Sequence, residues 1–365
     1  SITVVVYPLL SLMSDQARRM ENLGARSVFL KGGQSVAERE EVFRALESKS
    51  SRFLITNPET LRNTNILSRL STLTISLLVV DEVHTVTQWG ETFRPAYLDL
   101  STIVEALKPE QLMAFTATAS PRILERIATI LFCDRPFHTI MGNPDRPNIY
   151  YQVIPSLCKI HDVEMLCKHG LDRPAVIFCS SRKRCETTAW QLARRMQDRS
   201  IRYYHAGLDP QERSATERWF FSHSDAILCS TSAYGMGVDK SNVRTVIHMD
   251  LSNDVESYLQ ESGRAGRDGS PARALILIGA EERQTLSLEP QEGPYAALYR
   301  AMTQTHSCRR EALLRLLGFE HDSCSGCDVC NHHVLAHPDG QREIMKLFKR
   351  HPLRVTLPAQ MNDAF

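Results

Sequence analysis

Phe29-Leu30-Lys31-Gly32-Gly33-Gln34-Ser35-Val36-Ala37-Glu38-Arg39 and Tyr203-Tyr204-His205-Ala206-Gly207-Leu208-Asp209-Pro210-Gln211-Glu212-Arg213 are two renderings of one pattern. Gly33 and Gly207, Ser35 and Asp209, and Glu38 and Glu212 are all 174 positions apart. Each copy predicts the end of an aromatic strand, a turn at Gly, and a helix opened by a capping box. Ser35 with Glu38, and Asp209 with Glu212 behind Pro210, would satisfy the first free N–H groups. At the same offset Phe53-Leu54-Ile55-Thr56 aligns with Ile227-Leu228-Cys229-Ser230. Upstream, residues 3–7 and 175–179 are each an apolar strand followed by a helix. Continuous apolar strands alternating with helices imply parallel sheets covered on both faces. The fold class is therefore α/β, with two tandem lobes.

Composition agrees. The 365 residues allow two or three domains at about 100–200 each, and 42% hydrophobic with 23% charged residues excludes collagen, long disorder and a coiled coil. No run approaches the ~18 consecutive apolar residues of a membrane span. Ser1 opens in mid-strand with no basic segment or cleavage site behind it, so it is not a signal peptide. Lys plus Arg is 43 against Asp plus Glu 42. Bulk charge thus gives no nucleic-acid footprint, although a local basic groove remains open.

The ten cysteines divide into two groups. Cys133, Cys158, Cys167, Cys179, Cys185 and Cys229 read as reduced core residues. Cys308, Cys324, Cys327 and Cys330 cluster, a pattern that favours a metal over disulfides in a chain without a secretory signal. Gly142-Asn143-Pro144-Asp145-Arg146-Pro147 reads as the connector between lobes. The expected division is a first lobe at 1–141, a second at 142–279, a helical cysteine module at 280–337 with helix over 295–317, and a tail at 338–365. Within that tail, 341–349 carries Ile344, Leu347 and Phe348 on one face.

Leu77-Leu78-Val79-Val80-Asp81-Glu82-Val83-His84 is a buried strand ending in two carboxylates and an imidazole. In an open parallel sheet that end faces the ligand crevice. Asp81 there can hold Mg²⁺, usually through water, and Glu82 can orient or deprotonate the water that attacks a γ-phosphate. In residues 252–269, Ser252, Asn253 and Asp254 can cap a helix whose Val255, Tyr258 and Leu259 face the core. Gly263 ends it and releases Arg264 and Arg267 on a Gly-rich turn, an arrangement suited to bidentate phosphate recognition or an arginine finger. Trp89, Phe93 and Tyr97 fall at helical spacing, but Pro95 breaks such a helix. Exposed aromatics for base stacking, with Arg94 alongside, fit that segment better.

Together these stretches resemble the superfamily 2 helicases, and among them the RecQ-like DNA helicases. Val6 to Gln16 resembles motif Ia; Thr56-Asn57-Pro58-Glu59 resembles motif Ib with an inserted Asn. Asp81 to His84 resembles motif II with Val83 in place of Ala, and Phe115-Thr116-Ala117-Thr118-Ala119 resembles motif III. Ile177 to Arg182 is similar to motif IV, Ser230 to Lys240 to motif V, and Gln260 to Gly269 to motif VI. Gln88 to Tyr97 resembles the aromatic-rich loop that senses single-stranded DNA, with Glu91-Thr92 where the family usually has His-Asp. The spacing C-x15-C-x2-C-x2-C from Cys308 to Cys330 matches the family's zinc module, and four thiolates close a tetrahedral structural site.

The resemblance implies two RecA-like lobes plus the zinc module, with ATP and Mg²⁺ in the inter-lobe cleft. Asp81 would hold the metal, with Glu82 and His84 beside the reacting phosphate. Gln260, Arg264 and Arg267 would reach in from the second lobe, and Gly237 and Asp239 would contribute to the cleft. Gln88, Trp89, Phe93, Arg94, Ser181 and Arg182 would contact single-stranded or partly duplex DNA. The implied activity is ATP-driven 3′→5′ translocation in DNA repair and recombination, inside the cell, in the nucleoid or nucleus. No G-x-x-x-x-G-K-[ST] phosphate loop occurs in the 365 residues. The family places it before motif Ia, so the expectation is that it precedes Ser1 and that these residues alone hydrolyse little ATP. The competing readings are a non-hydrolysing nucleic-acid-binding relative and an RNA helicase of the same superfamily.

Overall fold

Phe53–Thr56 and Ile227–Ser230, matched in the sequence, occupy corresponding places in two separate sheets. The structure, a computed structural model, describes residues 1–8, 10–84, 99–117, 120–133, 135–232, 240–320 and 323–331, without the side chains of residues 10–12, 14 and 15. The first sheet contains β1 (Ile2–Val6), β2 (Ser27–Phe29), β3 (Phe53–Thr56), β4 (Ile75–Val80) and β5 (Gln111–Ala114). Its order is β2-β3-β1-β4-β5, and every pairing is parallel. Helices α1 (Leu10–Asn22), α2 (Val36–Glu47), α3 (Pro58–Leu61), α4 (Thr64–Leu70), α5 (Leu100–Leu107) and α6 (Pro121–Ile130) supply its crossovers and flanks.

The second sheet contains β6 (Ile149–Pro155), β7 (Ala175–Phe178), β8 (Ile201–Tyr204), β9 (Ile227–Ser230), β10 (Thr245–His248) and β11 (Ala272–Ile278). It is also wholly parallel, in the order β6-β11-β10-β7-β9-β8. Its helices are α7 (Lys159–Lys168), α8 (Arg182–Met196), α9 (Pro210–Ser222), α10 (Val255–Ser262) and α11 (Ala280–Leu288). Every residue of β7, β9 and β10 is buried, as strands covered on both faces require. β3 lies between β2 and β1, just as β9 lies between β8 and β7, so the internal repeat is a repeat of topology.

The caps explain why the helices start where they do. Ser35 Oγ accepts from the Glu38 amide at 3.2 Å while Glu38 Oε2 accepts from the Ser35 amide at 2.7 Å, a complete capping box. In the second copy Asp209 Oδ1 alone takes the amides of Gln211 and Glu212, at 2.8 and 2.9 Å. The expected box is therefore an acidic N-cap behind Pro210, since one carboxylate oxygen serves both donors. Beyond β11 the expected helix over 295–317 is two helices, α12 (Pro294–Thr303) and α13 (Arg309–Leu316). The break falls where Cys308 takes the N-cap position with its sulfur accepting the Glu311 amide at 3.5 Å. The tail at 338–365, including 341–349, lies outside the described residues.

The cysteine segment docks on an edge of the second sheet. Tyr151 of β6 forms a parallel bridge with Cys327, and the Asp328 amide donates to Tyr151 O at 3.0 Å. Asp328, fully buried, accepts from the Val153 amide at 3.1 Å and from Arg309 Nε at 3.0 Å. An edge strand that would expose its polar backbone is thereby covered. Of the six cysteines expected in the core, Cys179, Cys185 and Cys229 are buried and Cys133 and Cys167 half-buried, but Cys158 is exposed. It stands at the N-cap of α7, on the turn that leaves β6, where the chain must surface.

Candidate functional site

β4 delivers Asp81 to the carboxyl end of the first sheet, where the Asp81 amide donates to Val6 O at 3.0 Å. Glu82 then takes a left-handed backbone with φ of +49°, a conformation that costs a non-glycine residue roughly 1 kcal/mol or more. Its amide turns back onto Asp81 Oδ1 at 2.9 Å. The chain re-enters the fold at Val83, whose amide donates to Phe115 O at 2.9 Å, and His84 is buried. His84 Nδ1 lies 3.1 Å from Thr116 Oγ1 and 3.3 Å from Glu82 Oε2. One imidazole thus joins the turn after β4 to the turn after β5. Such a link ties the carboxylate pair to a second segment.

Burial raises the Asp81 carboxyl above the ordinary aspartate range; the Glu82 amide opposes that shift and the Glu82 carboxylate adds to it. Tyr7, from the start of the same lobe, is pushed up to about 12 by burial and by the Asp81 charge. A half-buried carboxylate against a neutral phenol is a hard oxygen donor of the kind that suits Mg²⁺ held through water. Asp81 would hold the ion, and Glu82 would orient water.

In the second lobe Asp254 caps α10 by accepting the Ser257 amide at 2.7 Å. Gly263 ends the helix, Arg264 is buried and Arg267 is exposed on the following turn. Gln260 is half-buried on α10. Residues 142–147, expected as the connector between lobes, also supply a grip on this turn. Arg146 donates to the carbonyls of Gly263, Ala265 and Gly266 at 3.0, 3.2 and 2.8 Å. Asn148 donates to the carbonyls of Gly266 and Ser270, both at 2.8 Å.

Ser181 and Arg182 begin α8 at the carboxyl end of β7, and both are exposed. Ser181 Oγ accepts the Arg184 amide at 3.2 Å. Arg182 lies so close over Gly207 that an added Cβ there would stand 3.0 Å from its Nη1. A side chain at Gly207 would thus press on the Arg182 and His205 side chains. Asp250, which the sequence reading passed over, fixes this turn by accepting the Ser180 amide at 2.8 Å and pairing with Arg184 at 3.2 Å. Its signal was available: like Asp81, it follows a buried apolar strand. Asp250, Glu281 and Glu282 also converge, but Lys159 Nζ sits among them at 3.6, 3.5 and 2.5 Å and supplies the positive charge.

The sulfurs of Cys308, Cys324, Cys327 and Cys330 all lie within 4.8 Å of one another. The Cys308–Cys327 separation of 3.9 Å is close to the edge, about 3.8 Å, of a tetrahedron with Zn–S bonds near 2.3 Å. The amides of Glu311, Gly326 and Cys330 point at the sulfurs of Cys308, Cys324 and Cys327, at 3.5, 3.4 and 3.4 Å. Amide donors of that kind stabilise thiolates, so the four residues fit zinc with no open position. Gln88, Trp89, Phe93, Arg94, Gly237 and Asp239, together with His332, His333 and His337, lie outside the described residues.

Two tandem parallel sheets, an Asp-Glu-x-His turn at the end of one and an arginine turn in the other define a superfamily 2 helicase. The DEAD/DEAH box helicase family matches residues 1–127 and the helicase conserved C-terminal domain matches residues 157–269. Within that class the chain belongs to the RecQ-like helicases. It is 34% identical to the ATP-dependent DNA helicase RecQ of Pasteurella multocida over 90% of this chain and 53% of that protein. It is 31% identical to the protein of the same name from Haemophilus influenzae, over 90% and 54%. The chain therefore spans about half the length of these curated relatives. Among solved structures, the fold is similar to that of the DUF1998 helicase MrfA bound to DNA and AMPPNP, with a TM-score of 0.61 at 19% identity, covering 88% of this chain and 50% of that one. No helix among the described residues is long and apolar enough to cross a membrane.

Proposed function

We propose that this chain is the motor of an ATP-dependent DNA helicase that moves 3′→5′ along single-stranded DNA and opens duplexes during repair and recombination. The observation that carries the reading is the Asp81–Glu82–His84 turn, bonded through His84 to Thr116. A strained acidic turn at the ligand end of a parallel sheet, wired to a neighbouring loop, suits phosphate chemistry that must alter a conformation. The two RecQ relatives, by their printed names, are ATP-dependent and act on DNA, which supports the choice of nucleic acid.

Each side chain then has a task. Asp81 holds Mg²⁺, which when bound neutralises charge on the triphosphate. Glu82 orients and accepts a proton from the attacking water, with His84 fixing its carboxylate. Arg264 and Arg267, with Gln260, Gly237 and Asp239, approach the nucleotide from the second lobe and offset charge that develops in transfer. Ser181 and Arg182, on the turn that Asp250 fixes through Ser180 and Arg184, contact the DNA backbone, and Gln88, Trp89, Phe93 and Arg94 stack on or pair with the strand. Cys308, Cys324, Cys327 and Cys330 hold zinc. The 365 residues contain no Gly-x-x-x-x-Gly-Lys-Ser/Thr segment, and by themselves they hydrolyse ATP weakly.

The test is DNA-stimulated ATPase of the full-length gene product with Glu82→Gln. Loss of the base lowers kcat by about 10²–10⁴-fold and leaves ATP binding in place. Wild-type turnover by the variant, or stimulation by RNA and not by DNA, would overturn the reading. A 3′-tailed duplex unwound in preference to a 5′-tailed one tests direction.

A further inference from the structure

The turn that carries Arg264 and Arg267 has three glycines between positions 263 and 269, and much of its anchoring is supplied by other segments. One guanidinium, that of Arg146, spans three backbone acceptors on the turn, the carbonyls of Gly263, Ala265 and Gly266. A planar fork with five donors suits such a row, and no other side chain has that geometry.

Arg146 is itself clamped from behind. Arg310, buried on α13, pairs with Asp145 and donates to Arg146 O at 2.9 Å and to Ile149 O at 2.5 Å. Arg310 is two residues from Cys308 of the zinc-ligand set, and its neighbour Arg309 is locked to the buried Asp328 between Cys327 and Cys330. A continuous set of bonded groups therefore runs from the cysteine cluster through Arg310 and Arg146 to the arginine turn.

We infer that Arg146 is the positioning residue of the arginine turn, holding Arg264 and Arg267 in register with the zinc module. This rests on the proposed reading that those arginines face the triphosphate. Arg146 does not touch the nucleotide; it acts through the backbone that bears the arginines. The turn has further anchors, since the Gly266 amide donates to Val243 O at 2.8 Å and Arg244 pairs with Asp268. Loss of Arg146 thus relaxes the turn without unfolding the lobe.

The experiment uses the full-length gene product and its DNA-stimulated ATPase. Arg146→Gln lowers kcat by roughly ten- to a hundred-fold, as displacement of a charge-stabilising group by about 1 Å does, while KM for ATP stays within about threefold. Arg146→Lys, which keeps one donor group, recovers part of the loss. In an Arg267→Gln background, Arg146→Gln costs clearly less than it does in the wild type, because one of the two groups it positions is already gone. Unchanged kcat in Arg146→Gln, or losses that multiply in the double variant, would overturn the inference. If Arg267→Gln alone keeps full kcat, the underlying reading of the arginine turn fails as well, which separates the two.

Discussion

Gly266→Ala and Gly269→Ala, three positions apart on one turn, should differ sharply in cost. Both glycines sit in the left-handed region, with φ of +57° and +81°, so alanine at either adds about 1–2 kcal/mol of backbone strain. At Gly269 nothing lies within 4 Å of an added Cβ. At Gly266 the Cβ would fall 2.4 Å from Asn148 Nδ2 and 2.6 Å from Ser270 O. Relief means displacing Asn148 from its two 2.8 Å bonds, at about 1 kcal/mol each. The expected losses are about 3–4 kcal/mol for Gly266→Ala and about 1–2 kcal/mol for Gly269→Ala. With an m-value near 2 kcal/mol/M, the urea midpoint falls by about 1.5–2 M in the first and about 0.5–1 M in the second. The assay is urea unfolding followed by tryptophan fluorescence in a Trp89→Phe background, since Trp190 and Trp219 lie on α8 and α9 of the second lobe. Equal midpoints for the two variants would refute the claim that Asn148 clamps this turn.

The same structure makes three other measurable claims. Asp328→Asn strands the buried Arg309 guanidinium and costs about 3–5 kcal/mol in thermal or chemical unfolding, whereas Glu311→Gln, on an exposed pair with Arg315, costs about 0.5 kcal/mol at most. Metal analysis finds one zinc per chain, and its removal by chelator speeds hydrogen exchange at the amides of Val153 and Asp328, which join the knuckle to β6; exchange that chelation leaves unchanged would separate the metal from the docking. Alkylation at pH 8 labels exposed Cys158 first. Burial pushes Cys167 and Cys185 up to about 11 and raises Cys179 and Cys229 as well, so all four react slowly at pH 8 unless the chain unfolds. Peptide mass spectrometry reads this order, and Cys229 reacting as fast as Cys158 would contradict it.

Much of the site was legible because its signals are local. A carboxylate pair after four apolar residues, a helix ended by Gly263 and a cysteine spacing each declare themselves within about twenty positions. The misread features are those whose partners lie far along the chain. Arg146 reaches the turn across 117–120 residues, and nothing in Gly142-Asn143-Pro144-Asp145-Arg146-Pro147 marks it as other than a linker. Asp250 looks like a strand-end acid until Ser180, 70 residues away, turns its amide to it. Helix 295–317 reads as one because helix propensity carries no sign that Cys308 must leave the helix to bring its sulfur to Cys327.

The sequence by itself determined the two lobes, since apolar runs and capped helices repeated 174 positions apart are short-range facts of hydrophobic burial and unsatisfied N–H groups. It also determined the chemistry available at each strand end. Only the tertiary structure decided how the arginine turn is held, which strand edge the cysteine segment covers, and why a side chain at Gly266 would clash. Those depend on atoms brought within about 3 Å from distant parts of the chain, and contact at that range leaves no periodic trace in the sequence.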